Sequence, residues 1–248
     1  MKNDFEKYLV SNHGVSTTLL DDVKKHTENQ HSYQKMNASA ILGLDGQPIT
    51  NSVTPTIIEE RKMNIAMMSV FDRLMMDRII WCAGPVDDRM AIILQAQLLY
   101  LAQEDPKKTI RLHIDSPGGS VKAGLSMVDV MDYVREANGV NIETINTGMA
   151  ASMGSVLLGA GTKGMRSSLR FSRTMLHQSS GGAVGNIQDA EIQWQEWQKV
   201  NDLLFELLGE YCGKDAAQVK EDASRDLWLS AKEALDYGII DEVIGVNL

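Results

Sequence analysis

Cysteine is nearly absent: Cys82 and Cys212 are the only two in 248 residues, with no CxxC pair and no Cys/His cluster. That excludes a disulfide framework and a zinc site of the usual spacing, and both residues read as buried thiols. Long apolar runs are missing as well. No stretch approaches the length of a membrane span, and Met1-Lys2-Asn3-Asp4-Phe5-Glu6 lacks the apolar core of a secretory signal, so the chain reads as soluble and cytoplasmic. Positive charge is in deficit, with 24 Lys and Arg against 33 Asp and Glu and a net charge of −9, which argues against a surface built for nucleic-acid phosphates. No GxxxxGK[ST] sequence occurs, so nucleotide hydrolysis is not assigned to this chain. What is present is ample core material, 44% hydrophobic residues, and 14 methionines, a residue that fills irregular gaps in cores and adaptable interfaces.

Residues 1–54 carry polar clusters such as His26-Thr27-Glu28-Asn29-Gln30-His31-Ser32 and little apolar periodicity, and read as a partly disordered tail or propeptide. Its acids, Asp4, Glu6, Asp21, Asp22 and Glu28, make it a poor organelle transit peptide. Residues 55–248 read as the folded domain. Met67, Val70, Phe71, Leu74 and Met75 fall at helical spacing, and Ile79 to Cys82 is a short strand before the Gly84-Pro85 turn. A buried helix over Ala91 to Ala102 follows, then a strand over Ile110 to Ile114, a turn at Asp115-Ser116-Pro117-Gly118-Gly119 and a helix over Val121 to Arg135. Strand, turn and helix recur a third time around Asn141 and Ser152, a spacing of roughly 30 to 45 residues that predicts parallel α/β architecture with right-handed crossovers. Two short strands lie within Arg166 to Leu176, a glycine-rich loop spans Ser179 to Gly185, and a long helix covers Ile187 to Tyr211. Ser230-Ala231-Lys232-Glu233 is a capping box that opens a last helix, closed by Gly238.

The stretch Gly148-Met149-Ala150-Ala151-Ser152-Met153-Gly154 sets a serine among small residues where strand pattern gives way to helix pattern. Two uses suit that position. One is an N-cap serine in a tight turn; the other is a nucleophile at a helix N-terminus, where outward N–H groups favour developing negative charge. A serine hydroxyl needs a base within hydrogen-bond reach. His13, His26 and His31 lie in the tail, which leaves His113, inside a strand, and His177, which ends Thr174-Met175-Leu176 just before the glycine-rich loop. A Ser–Lys dyad through Lys163 is a further option. Backbone donors for an oxyanion are available at Met153, in the first turn of the helix, and at Pro117-Gly118-Gly119, where missing side chains admit a bound acyl group. Spacing does not choose among the many Asp and Glu residues for a third member.

Asp115-Ser116-Pro117-Gly118-Gly119, Gly148 to Gly154 and Met175-Leu176-His177-Gln178, in this order, resemble the proteolytic-subunit family of the caseinolytic proteases, ClpP. So does Arg225-Asp226-Leu227-Trp228-Leu229-Ser230-Ala231-Lys232-Glu233-Ala234 with Tyr237-Gly238-Ile239-Ile240-Asp241, and the likeness extends from about Thr54 to Val243. The resemblance implies a crotonase-like α/β fold, a spiral of ββα units with a protruding strand-helix handle. It implies a serine endopeptidase in which Ser152 attacks, His177 transfers protons and Asp226 orients the imidazole, with Gly119 and Met153 N–H groups as the oxyanion hole and no cofactor or metal. It also implies two stacked heptameric rings, unfolded polypeptide substrates, a separate AAA+ Clp unfoldase as partner, and Gly181, Gly182 and Gly185 in the handle that positions substrate.

Several positions depart from the family pattern. Ser179 replaces the usual proline, which predicts a looser loop beside His177. Arg111 and His113 stand where tyrosines commonly line the pocket for unfoldase loops, and an unpaired cation there opposes an apolar ligand. Ser224 replaces an acid that commonly pairs across rings, and about four extra residues around Ala137 to Val140 lengthen the loop before the Ser152 strand, while the N-terminal extension is long for the family. The unusual tail and altered docking strand leave room for a virus-type capsid-processing relative on the same fold; a noncatalytic ring subunit or scaffold is the other reading, against which the intact Ser152, His177 and Asp226 argue. An acyl-CoA enzyme on the same fold needs no serine nucleophile.

Overall fold

A computed structural model describes residues 56–61, 64–182 and 185–245. The expected tail over 1–54 lies outside the described residues, as do two residues of the glycine-rich loop. A two-stranded antiparallel hairpin, β1 (Thr56–Arg61) and β2 (Asn64–Ser69), comes first. Met67 therefore belongs to a strand, and the helix expected around it is shorter: α1 covers Val70–Met76, opened by a Ser69–Asp72 capping box that turns the chain where the strand ends.

The rest is organised by a seven-stranded sheet. Three parallel strands form its centre: β3 (Ile79–Ala83), β4 (Ile110–Ser116) and β5 (Ile142–Ala151). They are joined by α2 (Asp88–Glu104) and α3 (Val121–Asn138), the βαβ connection that parallel neighbours require. Asp87 and Ser120 cap these helices by accepting the Met90 and Ala123 N–H groups. Of the stretch from Ala137 to Val140, the first two residues extend α3 rather than a loop. Ala137 and Asn138 continue the helix, Gly139 ends it in the left-handed conformation at φ 70°, and Val140 is buried.

α2 is buried along Ala91, Leu94, Leu98, Leu101 and Ala102, yet Ile92, Ile93, Leu99 and Tyr100 on its other side are exposed. On β5 the polar Thr144 and Asn146 are as buried as their apolar neighbours. A central strand covered on both faces has no solvent side, and these polar groups are satisfied internally: Thr144 donates to the Leu158 carbonyl, and Asn146 to the Arg173 carbonyl and Thr174 hydroxyl.

β5 then changes partner. Its first half, Thr144 to Asn146, pairs with β6 (Arg166–Leu169), which continues to β9 (Glu242–Ile244). Its second half, Met149 to Ala151, pairs with β7 (Arg173–Leu176), which pairs antiparallel with β8 (Leu227–Ser230). The strands thus divide into two branches, as the spiral α/β fold expected from the sequence requires. α4 (Met153–Gly159) is buried at every residue and runs from the end of β5 into the core.

α5 (Ile187–Cys212) spans 26 residues, but its buried positions are confined to Leu204, Phe205, Leu208 and Gly209, and Ile187 is 86% exposed. Its N-terminal half stands away from the core as the expected handle helix. The loop before it, where a handle strand was expected, contains no strand among the described residues. α6 (Ala216–Asp222) follows, and α7 (Ala231–Tyr237) opens on the Ser230–Glu233 capping box and closes at Gly238, φ 95°. The buried Arg166 guanidinium locks this end, donating to both Asp241 carboxylate oxygens, the Tyr211 carbonyl and the Gly238 carbonyl. Among the described residues no helix is long and apolar enough to cross a membrane.

Candidate active site

Ser152 occupies the N-cap position of α4 without acting as a cap. Its backbone sits at φ 52°, ψ −122°, and its side chain makes no capping hydrogen bond. A capping serine adopts extended backbone and accepts from the first-turn N–H groups, so this one is committed elsewhere. Positive φ on a non-glycine residue costs of order 1–3 kcal/mol and persists only where neighbours enforce it. Here the Ser152 N–H is held by the Met175 carbonyl at 2.9 Å, and its own carbonyl receives the Ser155 N–H at 2.9 Å.

Strand pairing delivers the partners. Ala151 lies opposite Met175 in the parallel β5–β7 pair, so Ser152, one residue further along, and His177, two residues further along, emerge at the same end of the sheet. Leu176 lies opposite Leu227 in the antiparallel β7–β8 pair, so the residues just outside the ladder, His177 and Asp226, face each other. Accordingly His177 Nε2 is 2.8 Å from Ser152 Oγ, and His177 Nδ1 is 3.3 Å from Asp226 Oδ1. A neutral imidazole that donates its Nδ1–H to the carboxylate has Nε2 free to accept from the serine hydroxyl. The Asp226 side chain is 61% exposed, so the outer arm of this relay is the more open one.

The Pro117-Gly118-Gly119 turn packs directly on the serine. A Cβ at Gly118 would fall 2.6 Å from Ser152 Cβ and 2.9 Å from the Met153 nitrogen, and both Gly118 and Gly119 have positive φ. Only glycine permits that approach. The turn is pinned by the Gly118 carbonyl accepting the Val86 N–H, the Gly118 N–H donating to Ser116 Oγ, and a parallel bridge from Gly119 to Val86. The N–H groups of Gly119 and Met153 lie outside the backbone ladder among the described residues.

His113, the other histidine of the fold, faces no serine. Its ring stacks on Trp81 at 5.0 Å, its Nδ1 is buried without a hydrogen-bond partner among the described residues, and burial lowers its pKa. Lys163 lies in the Thr162–Met165 turn before β6, while the Ser152 hydroxyl is taken by His177. Burial pushes the thiol of Cys82 up to about 12 and that of Cys212 up to about 12, so neither supplies a thiolate near neutral pH. Among the described residues no group of three or more His, Cys, Asp or Glu side chains is placed to hold a metal ion.

The family model described as Clp protease matches residues 61–247. The chain belongs to the Clp protease family. Relatives named ATP-dependent Clp protease proteolytic subunit include one from Porphyromonas gingivalis, 44% identical over 245 residues that cover 99% of each chain. One from Bacteroides fragilis is 44% identical over 242 residues, 98% of each chain, and another from the same species is 49% identical over 192 residues, 77% of this chain and 91% of that one. The first two matches take in nearly all of residues 1–54, so the N-terminal extension has counterparts among Clp proteases.

Two of the departures from the Clp pattern, Ser179 and Arg111, have local partners. Ser179 does not loosen its loop: its N–H and its hydroxyl both donate to Asn201 Oδ1 at 2.9 Å, a tether to α5 in which the N–H has no counterpart in proline. Arg111 is not an unpaired cation, because Glu143 on the adjacent strand meets it at 3.0 Å. The Ser224 carbonyl accepts from Gln178 at 3.4 Å. Of the handle glycines, Gly181 lies against the Trp197 ring in an open cleft shared with His177, Ser179, Trp194, Arg225 and Asp226, whereas Gly182 and Gly185 lie outside that lining. A residue overlooked in the sequence is Asp115, whose carboxylate accepts the Met149 N–H at 3.0 Å; its place within Asp115 to Gly119 was the available signal.

Proposed function

We propose that the chain is the serine endopeptidase subunit of a self-compartmentalised, ATP-dependent protease that cleaves unfolded polypeptides. In this reading Ser152 Oγ attacks the scissile carbonyl while His177 Nε2 takes its proton, and Asp226 stabilises the resulting imidazolium. Gly119 and Met153 donate backbone N–H groups to the oxyanion, each such donor being worth on the order of 10²–10³ in rate. His177 returns the proton to the departing amine, and water repeats the sequence to release the acyl group.

One observation carries the reading. Ser152, held at φ 52° and turned from its capping role, places its hydroxyl 2.8 Å from His177 Nε2. The noncatalytic alternative gives no reason to maintain a strained serine against an imidazole.

The same proposal includes two stacked heptameric rings, a cytoplasmic location, and a separate AAA+ Clp unfoldase that hydrolyses the ATP named in the relatives' descriptions. The projecting half of α5, with Gly181, Gly182 and Gly185 before it, acts as the handle that presents backbone to an extended substrate. Residues 1–54 form a tail or propeptide ahead of the peptidase domain over 55–248.

The test is hydrolysis of a short unstructured fluorogenic peptide, which needs no unfoldase. Wild type cleaves it, while Ser152→Ala and His177→Ala each lose about 10³-fold or more of kcat. Cleavage by Ser152→Ala at the wild-type rate would reject the mechanism.

A further inference from the structure

We propose that Asp115 is a positioning residue that aligns the nucleophile with the oxyanion turn, an inference that rests on the reading of Ser152 above. Its basis is the irregularity in the β4–β5 ladder. Ile114 pairs with Asn146 and Ser116 with Ala150, so a single β4 residue, Asp115, faces three β5 residues, Thr147, Gly148 and Met149. The bulge sits where β5 leaves β6 for β7, and everything beyond it, including Ser152, is aimed by how those three residues are held.

Beside the pairing of Met149 with β7, three hydrogen bonds that involve side chains hold them among the described residues. Thr147 donates its hydroxyl to the Ile114 carbonyl at 3.1 Å, and the Gly148 N–H reaches Asn146 Oδ1 at 3.2 Å. The third is the Met149 N–H to Asp115 Oδ1 at 3.0 Å, which alone ties the bulge to the residue that begins Asp115-Ser116-Pro117-Gly118-Gly119. Gly148 lets the carboxylate in: a Cβ there would fall 2.6 Å from Asp115 Oδ1. Asp115 thus links the segment carrying one oxyanion donor, Gly119, to the segment carrying the nucleophile and the other donor, Met153. Asp115 is itself exposed, so its loss is expected to register in alignment more than in stability.

The measurement is peptide hydrolysis by the assembled protein, separated into kcat and KM, with Ser152→Ala as the blank and thermal melting in parallel. Asp115→Ala is expected to lower kcat about tenfold, the scale of one charge-assisted hydrogen bond, with KM within about twofold and the melting temperature within about 2 °C. Asp115→Asn keeps an acceptor oxygen and restores kcat to near the wild-type value. Gly148→Ala displaces the carboxylate and reproduces the Asp115→Ala loss, and the double variant is no worse than either, because both remove one link. Unchanged kcat in Asp115→Ala, equal damage in Asp115→Asn, or additive losses in the double variant would each overturn the proposal. Activity surviving in Ser152→Ala would instead show that the underlying serine mechanism is wrong.

Discussion

Ser152 Oγ lies 2.8 Å from His177 Nε2, and the serine reaches that point from a backbone conformation, φ 52° and ψ −122°, that a helix-capping serine does not adopt. The energy stored there belongs to the site rather than to the fold, and four predictions develop that distinction.

Ser152→Gly removes both the nucleophile and the strain. Glycine occupies positive φ at little cost, so this variant is expected to gain about 1 kcal/mol in denaturant unfolding while losing peptide hydrolysis. A less stable Ser152→Gly would mean that the serine conformation is not strained.

Gly118→Ala sets a methyl group 2.6 Å from Ser152 Cβ and 2.7 Å from the Ala151 carbonyl at a φ of 89°. The turn must shift, so kcat is expected to fall by about 100-fold or more, with roughly 1–3 kcal/mol of stability lost. Steady-state kinetics and denaturation on the same preparation check both.

Asp241 couples stability to acid. Burial opposes its ionisation, but hydrogen bonds and charge from Arg166, with the Gly164 N–H, outweigh this and hold its carboxyl below the ordinary value of 3.8. A carboxyl depressed in the folded chain stabilises fully above its unfolded pKa, and that contribution disappears as pH falls from about 3.8 through the lower folded value. Denaturation midpoints measured down to pH 2 should show the loss in wild type and a reduced slope in Asp241→Asn. At neutral pH that variant leaves the Arg166 guanidinium, 3% exposed, without its counter-charge and is expected to cost about 3 kcal/mol.

Cys82 and Cys212, both pushed up to about 12, are expected to resist iodoacetamide at pH 8 in the folded protein and to react on unfolding. Rapid alkylation of the buried Cys82 or the half-buried Cys212 in the native chain would contradict their raised thiol pKa.

The candidate site was legible mainly through the family resemblance, which rests on short contiguous stretches at strand ends: Ser152 after β5, His177 after β7, and Gly118 and Gly119 after β4. Asp226 was not selected by spacing. The family resemblance supplied it, and the antiparallel β7–β8 pairing sets it beside His177, a contact across 49 residues that no local pattern encodes. Local pattern failed where tertiary context supplies partners. The internal acceptors that satisfy the buried Thr144 and Asn146 are invisible in sequence, and the Ser179 tether depends on Asn201 from α5. Residues 137–138 read as loop, yet α3 runs through them to its Gly139 cap. The four-residue β8 is too short for periodicity to identify.

The most direct measurement is labelling with a fluorophosphonate followed by mass spectrometry of the modified peptide. A single adduct on Ser152 is expected in the wild type, and none in Ser152→Ala or His177→Ala. An adduct on another residue, or equal labelling of the His177→Ala variant, would contradict an imidazole-activated Ser152.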